Sequence, residues 1–359
     1  MCGIVGIIGN SPVAGRIVDS LKRLEYRGYD SAGVATLDKG RLLRQRAEGK
    51  LRNLEAKLDL EPLQGTIGIG HTRWATHGRP NEANAHPHAT EKLAVVHNGI
   101  IENFRDLRRE LEREGIAFDS ETDTEVVGRL VTHELGKGFD PVAAVGNVLP
   151  RLRGAFSLAF LFIDRDDLLI GARRGSPLAV GHGEGEMFLG SDALALAPFT
   201  DVVTYLEEGD VAVLTRTSLR VIDEHGVDVD RASQQIIAGA FLAEKGNYRH
   251  FMAKEIYEQP EVVARTAASC IDMTTGLTKV PANPAFDWRE LRRITITACG
   301  TAFYAGLVAK YWFERLARIP VEIDVASEFR YREAPLDEKG LMIVVSQSGE
   351  TADTLASLR

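Results

Sequence analysis

The feature that most constrains this chain is a cysteine directly after the initiator methionine, at the start of a β-branched run. Cys2 is followed by Gly3, and the run Ile4–Ile8 predicts the first strand. Methionine aminopeptidase removes Met1 efficiently when the next side chain is small, so we expect a mature protein that begins with Cys2. Such a residue carries a nucleophilic sulfur and a free α-amine with a reference pKa of roughly 7.7–8.0, suited to proton transfer. Taken alone, position 2 is more simply explained as a small apolar residue that starts a strand.

Composition narrows the class of protein. At 359 residues, with 44% hydrophobic and 26% charged residues, the chain predicts a two-domain globular enzyme. The net charge of −8 argues against nucleic acid as a partner. Three widely spaced cysteines favour a reducing compartment over a disulfide framework. We find neither a signal peptide nor an apolar run of about 18 residues, and so expect a cytoplasmic protein without a membrane partner.

Residues 1–236 form a region in which predicted strands outnumber predicted helices. Apolar runs separated by turns predict strands at Ile4–Ile8, Thr66–Thr72, Leu93–His97, Phe156–Ile163 and Val211–Leu214. Helical spacing of apolar residues appears from Val13 to Leu24, from Phe104 to Leu111 and from Thr124 to Val131. The pattern predicts stacked antiparallel sheets covered by helices.

The chain changes character after a small-residue segment, which predicts a linker at 237–250. Strands at Ile294–Ala298, Val321–Val325 and Leu341–Val345 alternate with a turn at Cys299–Thr301 and a long helix at Ala302–Arg318. Strand–loop–helix units in series predict a doubly wound parallel α/β sheet over 251–359. Because three strands make a small sheet with open edges, we expect this second domain to be truncated.

A polar segment after the strand at 66–72 is a candidate for ligand binding. Arg73 offers a planar fork suited to a carboxylate, while Thr76 and His77 add hydrogen-bond donors. Trp74 has the size to cover a small ligand. The alternative is an ordinary polar loop.

Two further segments carry candidate residues. Asn98-Gly99 predicts first a type I′ hairpin turn, and the same turn can direct the Asn98 amide and the Gly99 N–H to one point, as in an oxyanion hole. Glu121–Glu125 begins a predicted helix, where acids cap the helix and complement its dipole. One of these acids is also a candidate partner for a substrate ammonium group.

The motifs occur together and in order, which makes a family resemblance specific: CGIVGIIG at the start, LEYRGYDSAG (Leu24–Gly33), HTRWATHG (His71–Gly78), NAHPH (Asn84–His88), HNGIIEN (His97–Asn103) and SETDTEV (Ser120–Val126). Together they resemble the class II, N-terminal-nucleophile glutaminase domain of the amidotransferases over essentially all of residues 2–236. The resemblance implies a four-layer αββα sandwich.

It also implies the residue roles. Cys2 attacks the glutamine side-chain amide, its amine moves protons, and Asn98 with Gly99 holds the oxyanion. Arg73, Thr76 and His77 would bind the α-carboxylate, Asp123 the α-amino group, and Trp74 would gate the ammonia path. We do not expect a metal at His86-Pro87-His88, because the proline forbids helical ligand spacing and no cysteine lies near.

The second region, residues 251–359, carries the motifs that indicate which molecule accepts the ammonia. Ser346, Gln347, Ser348 and Thr351 follow a strand and enter a helix, a pattern that predicts an anion cradle, although a helix cap without ligand explains it equally well. With Cys299, Gly300 and Thr301 after an earlier strand, this pattern resembles the sugar isomerase (SIS) domain and implies sugar-phosphate binding. Ala302 stands where many relatives carry serine. An acidic strand-end loop, which a phosphoribosyltransferase acceptor domain would show, is not found in the sequence.

The order of motifs across both regions, with Tyr248–His250, Glu255–Pro260 and Ala326–Arg332, resembles the glutamine–fructose-6-phosphate aminotransferase family. The resemblance implies ammonia transfer from L-glutamine to fructose 6-phosphate at the entry to amino-sugar synthesis, with no external cofactor, in a homodimer when full length. The truncation predicts that this chain retains only the glutaminase half-reaction. The alternatives are a plain glutaminase and a non-catalytic sugar-phosphate sensor.

Overall fold

The protein divides into two compact units, Met1–Asn247 and Tyr248–Arg359. The computed structural model describes residues 2–25, 28–75, 78–235, 250, 252–253, 255–256, 259, 263, 266–267, 270–271, 278 and 287–358. The expected linker at 237–250 therefore lies almost wholly outside the described residues. Within the described part, no helix combines the length and apolar character needed to cross a bilayer.

The first unit contains fifteen described strands and six described α-helices. In chain order they are β1 (Gly3–Ile8), α1 (Ala14–Lys22), β2 (Ser31–Asp38), β3 (Arg41–Glu48), α2 (Leu51–Leu60), β4 (Ile67–Arg73), β5 (His88–Ala89), β6 (Leu93–Gly99), α3 (Phe104–Arg113), α4 (Asp123–Gly136), α5 (Pro141–Val148), β7 (Phe156–Phe162), β8 (Leu169–Arg174), β9 (Ala179–His182), β10 (Met187–Gly190), α6 (Ala193–Leu196), β11 (Val202–Tyr205), β12 (Val211–Leu214), β13 (Leu219–Ile222), β14 (Asp228–Val229) and β15 (Ser233–Gln235). A 3₁₀ turn, Leu149–Arg151, follows α5.

The strands form two antiparallel sheets. The first has eight strands in the order β15-β11-β9-β10-β1-β4-β2-β3, and the second has seven in the order β14-β13-β12-β8-β7-β6-β5. Strand β1 lies inside the first sheet, hydrogen-bonded to β10 and β4, while β6 pairs with β7 in the second. Strand β1 directly follows Cys2, and β6 ends with the candidate residues Asn98 and Gly99.

The alternation of side chains along β1 explains how the first sheet is covered on both faces. Ile4 and Ile8 belong to a buried cluster shared with the second sheet. Val5 and Ile7 belong to another cluster, with Ile17 of α1. Because both faces bury apolar side chains, the strand is apolar along nearly its whole length.

The second sheet repeats this arrangement. Ala94 and Val96 of β6 join the cluster between the sheets. Leu93 and Val95 point to the other face, where Val127 of α4 packs in the same cluster. The layers are therefore helix, sheet, sheet and helix, and the predicted αββα sandwich is confirmed.

The described part of the second unit contains a parallel three-stranded sheet. Its elements are a 3₁₀ turn (Trp288–Glu290), β16 (Arg293–Ala298), α7 (Gly300–Leu316), β17 (Val321–Val325), α8 (Ala326–Phe329), β18 (Gly340–Val345) and α9 (Ala352–Ala356). Strand β16 is central, between β17 and β18. The predicted doubly wound parallel sheet is confirmed for this part of the chain.

One boundary in this unit differs from the sequence prediction. Gly300 and Thr301 form the first turn of α7, and Cys299 is the N-cap, so the predicted turn at these three residues is wrong. The α-helix also ends at Leu316 instead of Arg318. Gly300 enters the helix with a φ of +57°, which a glycine adopts at little cost.

Candidate active site

The nucleophile predicted from the sequence lies at the entrance to β1, beside the end of β4. The backbone N–H of Trp74 donates to the Cys2 Sγ at 3.2 Å, and the thiol lies 3.6 Å from the Trp74 carbonyl oxygen. Burial raises the pKa of the Cys2 thiol, while the Trp74 N–H and the positive charge of Arg73 oppose that rise. A protonated thiol needs a base, which the free amine of a terminal cysteine would supply.

Small residues allow this close approach. A Cβ at Gly3 would lie 2.8 Å from the Thr72 Oγ1 and from Leu24, so a larger residue there would push β1 away from β4. At Gly28 a Cβ would lie 2.8 Å from the Arg73–Trp74 peptide, which contacts the thiol. Gly28 lies within the LEYRGYDSAG motif, and its role in this approach was not predicted from the sequence.

The Asn98-Gly99 pair comes to the same point from the second sheet. The Asn98 Nδ2 donates to the Cys2 carbonyl oxygen at 3.1 Å, across 96 residues of sequence. Both residues are the last two of β6, where they pair with Ser157 and Phe156 of β7. The predicted type I′ hairpin turn is therefore wrong.

Backbone geometry explains that difference. Gly99 has a φ of +120°, and a Cβ there would lie 2.0 Å from the Ala155 carbonyl oxygen. Asn98 is not among the described non-glycine residues with positive φ, which a type I′ turn would require of it. The glycine thus serves a close approach of two strands.

Arg73 is the last residue of β4, not a loop residue as the sequence predicted, and it is 3% exposed. Its Nη1 and Nη2 donate long hydrogen bonds of 3.4 Å to the carbonyl oxygens of Arg79 and Gly78. Burial lowers the pKa of Arg73, and the neighbouring charges of Cys2, Asp123 and Asp30 oppose this. A buried guanidinium therefore lies close to the thiol.

Asp123 supplies a negative charge to the same site. It is the first residue of α4, is 4% exposed, and its Oδ2 accepts from the Ile101 N–H at 2.8 Å. Its charge acts on both Cys2 and Arg73. The structure thus brings together six of the eight predicted residues: Cys2, Arg73, Trp74, Asn98, Gly99 and Asp123. Thr76 and His77 lie outside the described residues.

Trp74 follows Arg73 and is 45% exposed, with its ring edge-on to that of Tyr29 at 5.6 Å between centroids. Asp30 holds the backbone on both sides of Trp74. Its N–H donates to the Arg73 carbonyl oxygen at 3.0 Å, and its Oδ2 accepts from the Ala75 N–H at 2.8 Å. Sequence reasoning missed Tyr29 and Asp30 as individual residues, although their motif was recognised.

Four buried histidines lie behind the site: His71, His86, His88 and His97. The His86 Nε2 lies 2.7 Å from the Thr124 Oγ1, and the His88 Nε2 lies 3.0 Å from the Thr122 Oγ1. These contacts tie the histidines to the start of α4. Within the ranges that the structure describes, no group of three or more His, Cys, Asp or Glu side chains is arranged to hold a metal ion.

The candidate sugar-phosphate residues lie at the carboxyl ends of two neighbouring strands. Ala298 of β16 pairs with Val345 of β18, so the segments that follow them, 299–301 and 346–351, leave the same edge of the sheet. In the second segment the Gly349 N–H donates to the Ser346 Oγ at 3.0 Å, and the Ser346 Oγ lies 3.3 Å from the Thr351 Oγ1.

The other candidate sugar-phosphate residues make few hydrogen bonds among the described residues. The Glu350 N–H donates to the Ser348 Oγ at 3.1 Å, and the Gln347 side chain is exposed. Thr301 is exposed in the first turn of α7, next to Ala302. Most hydroxyls of this loop thus satisfy the loop's own backbone.

Two domain models match the chain: a glutamine amidotransferase domain over residues 71–198 and an SIS domain over residues 289–359. The chain is 64% identical over 359 residues to a glutamine–fructose-6-phosphate aminotransferase (isomerizing) of Bradyrhizobium diazoefficiens and 65% identical to one of Brucella suis. A relative of the same name in Rhizobium meliloti is 59% identical. All of this chain is covered, but only 59% of each of these relatives.

Solved structures support the fold. The structure of an allosteric regulatory enzyme of purine biosynthesis matches with a TM-score of 0.52 and 25% identity, over 65% of this chain and 49% of that one. The glutamine phosphoribosylpyrophosphate amidotransferase from B. subtilis matches with a TM-score of 0.54 and 19% identity, over 90% of this chain and 65% of that one.

Proposed function

Because this chain belongs to the glutamine–fructose-6-phosphate aminotransferase family, we propose that its first domain hydrolyses L-glutamine at Cys2 and supplies ammonia for transfer to fructose 6-phosphate. The products would be L-glutamate and glucosamine 6-phosphate. The observation that carries the proposal is the convergence of four groups on Cys2: the Trp74 N–H at its thiol, the Asn98 amide at its carbonyl oxygen, and the charges of Arg73 and Asp123. The proposed domains are 1–236 for the amidotransferase and 251–359 for the SIS region, with a linker at 237–250.

The proposed chemistry begins with removal of Met1. The free Cys2 amine takes the thiol proton, and the sulfur attacks the carbon of the glutamine side-chain amide. Asn98 Nδ2 and the Gly99 N–H then stabilise the oxyanion of the tetrahedral intermediate. The C–N bond breaks, the amine returns its proton to the leaving nitrogen, and ammonia departs from a thioester. Water attacks the thioester, its proton passes through the amine to the sulfur, and glutamate is released.

Substrate binding follows from the charges around the thiol. Arg73 would bind the α-carboxylate in a charge-assisted contact, assisted by Thr76 and His77, and Asp123 would bind the α-ammonium. Trp74 would cover the site and gate the path of ammonia. Its exposed ring and its backbone contact with Cys2 support that role.

The acceptor half is proposed from family membership and the loop at the sheet edge. Cys299, Gly300, Thr301, Ser346, Gln347, Ser348 and Thr351 would bind the sugar phosphate. Ammonia and a sugar carbonyl form an imine without an external cofactor, and we propose none. We also propose a homodimer and a cytoplasmic location. The location is proposed because the chain has three widely spaced cysteines, which favour a reducing compartment.

The test measures glutamate release by the purified chain and by its Cys2→Ala variant. The variant should have no activity, because both the attack on glutamine and the formation of the thioester need the sulfur. A sample that mass spectrometry shows to retain Met1 should be nearly inactive, because its Cys2 nitrogen is an amide. Full activity with Met1 retained would refute the terminal-amine mechanism. No turnover in the mature wild type would favour a sugar-phosphate sensor.

A second assay separates the proposed transfer from a plain glutaminase. Glucosamine 6-phosphate is measured with fructose 6-phosphate and either glutamine or ammonia. We expect these 359 residues to release glutamate without amino sugar, since the SIS sheet in the described part of the chain has three strands. Appearance of the amino sugar would show that this length suffices for transfer.

A further inference from the structure

His71 is a buried imidazole next to the proposed oxyanion donor, and the proposed mechanism does not use it. It lies on β4 with no exposed surface. Its Nε2 is 2.9 Å from the His97 carbonyl oxygen and 3.0 Å from the Asn98 Oδ1. One ring nitrogen therefore contacts both the backbone and the side chain of the strand that ends at Gly99.

The His97 carbonyl determines which imidazole nitrogen carries the hydrogen. A carbonyl oxygen only accepts, so a hydrogen bond at 2.9 Å requires a hydrogen on Nε2. Among the described residues the Nδ1 has no hydrogen-bond partner, as expected of a nitrogen without hydrogen, since burying an unpaired N–H costs free energy. Burial also lowers the pKa of His71 to about 3, so the ring is neutral at pH 7.

That hydrogen in turn determines how the Asn98 amide is oriented. The group facing an Nε2–H must be an acceptor, which is the amide oxygen, because an NH₂ group there would meet another donor. The amide nitrogen is then on the other side, where it donates to the Cys2 carbonyl oxygen at 3.1 Å. An amide nitrogen carries two hydrogens, so one holds the Cys2 backbone and one remains for an oxyanion.

We propose that His71 is a positioning residue, which orients the Asn98 amide so that its nitrogen faces Cys2. The proposal rests on the proposed glutaminase function. His71 touches no reacting atom and acts through Asn98. If His71 has this positioning role, its substitution should slow the chemical step. If the ring only packs against the His86 ring, 4.3 Å away between centroids, its substitution should lower stability alone.

The first experiment measures kcat and KM for glutamine hydrolysis in matched variants. His71→Leu removes the donor, and we expect kcat to fall at least about tenfold, up to the roughly 10²–10³ lost with an oxyanion donor, with KM nearly unchanged. His71→Gln returns an N–H donor near the same place and should recover most of that loss. His88→Leu removes another buried imidazole of the same group, which does not contact Asn98, and should keep kcat near wild type.

A double mutant separates positioning from packing. If His71 acts through Asn98, then His71→Leu should add little to the loss already caused by Asn98→Ala. Multiplicative effects of the two substitutions, or an equal loss of kcat in His88→Leu, would overturn the proposal.

The second experiment does not depend on activity. Long-range ¹H–¹⁵N correlation spectra of the ¹⁵N-histidine-labelled chain, assigned with His71→Gln, report which nitrogen of His71 carries the hydrogen at pH 7. We expect a neutral ring with the hydrogen on Nε2. A hydrogen on Nδ1, or a charged ring, would overturn the proposal. If the Nε2 hydrogen is found in a wild type that releases no glutamate, the proposed function fails while the orientation of the amide stands.

Discussion

Arg73 carries a positive charge almost entirely out of solvent, next to the Cys2 thiol. Its hydrogen bonds to the Arg79 and Gly78 carbonyl oxygens are long, at 3.4 Å. Asp123 brings the opposite charge to the site, and its Oδ2 accepts from the Ile101 N–H at 2.8 Å. An α-amino acid brings a carboxylate and an ammonium, which match these two charges.

We therefore predict that Arg73→Ala raises KM for glutamine while kcat changes much less. Loss of a charge-assisted contact costs about 1.5–3 kcal/mol, or roughly a ten- to hundredfold higher KM. Asp123→Asn should act in the same direction while keeping an oxygen for the Ile101 N–H. Steady-state glutamate release gives both constants. Arg79→Ala, which removes an exposed arginine nearby, is the control, and a fall in kcat with KM unchanged would contradict these roles.

At the level of elements, the end of β6 shows how the close approach of two backbone segments limits which residue can stand at a position. Gly99 combines a φ of +120° with a Cβ position 2.0 Å from the Ala155 carbonyl oxygen, so β6 and the chain ahead of β7 leave no room for a side chain. Gly146 inside α5 is the opposite case, since nothing lies within 4 Å of its Cβ position. The structure therefore requires a glycine at position 99 but leaves room for a side chain at position 146.

Gly99→Ala should lower the free energy of unfolding by at least about 2 kcal/mol, because strain at positive φ adds to a clash with backbone. Gly146→Ala should raise it by about 0.5–1 kcal/mol, because alanine loses less backbone freedom on folding in a helix. Urea denaturation of the two variants beside the wild type tests both. Equal stability of Gly99→Ala and wild type would show that the strands separate without cost.

On the scale of the whole molecule, the first unit buries titratable groups where its two sheets and α4 meet. His71, His86 and His88 all have pKa values lowered by burial, His71 to about 3. Folding therefore keeps neutral three side chains that the unfolded chain protonates near pH 6.5, their ordinary pKa.

We predict that stability falls as pH drops below about 6.5. Between the folded and unfolded pKa values the unfolded chain binds more protons, so the free energy of unfolding falls by up to about 1.4 kcal/mol per pH unit for each histidine. Urea denaturation followed at pH 7, 6 and 5 measures this slope. His88→Leu should reduce this slope by the contribution of one histidine. A free energy of unfolding that stays constant from pH 7 to pH 5 would contradict the burial of neutral imidazoles.

The sequence by itself determined the nucleophile candidate, the order of the motifs and the strands of the core, because these depend on local spacing and residue type. It assigned a turn to Asn98-Gly99 and to Cys299–Thr301, and a loop to Arg73, because local preference does not record which strand or helix a residue extends. Only the tertiary structure decided that Cys2 of one sheet meets Asn98 of the other, 96 residues away, beside a peptide 72 residues away. That contact depends on how two sheets stack, and so does the orientation of the Asn98 amide by His71.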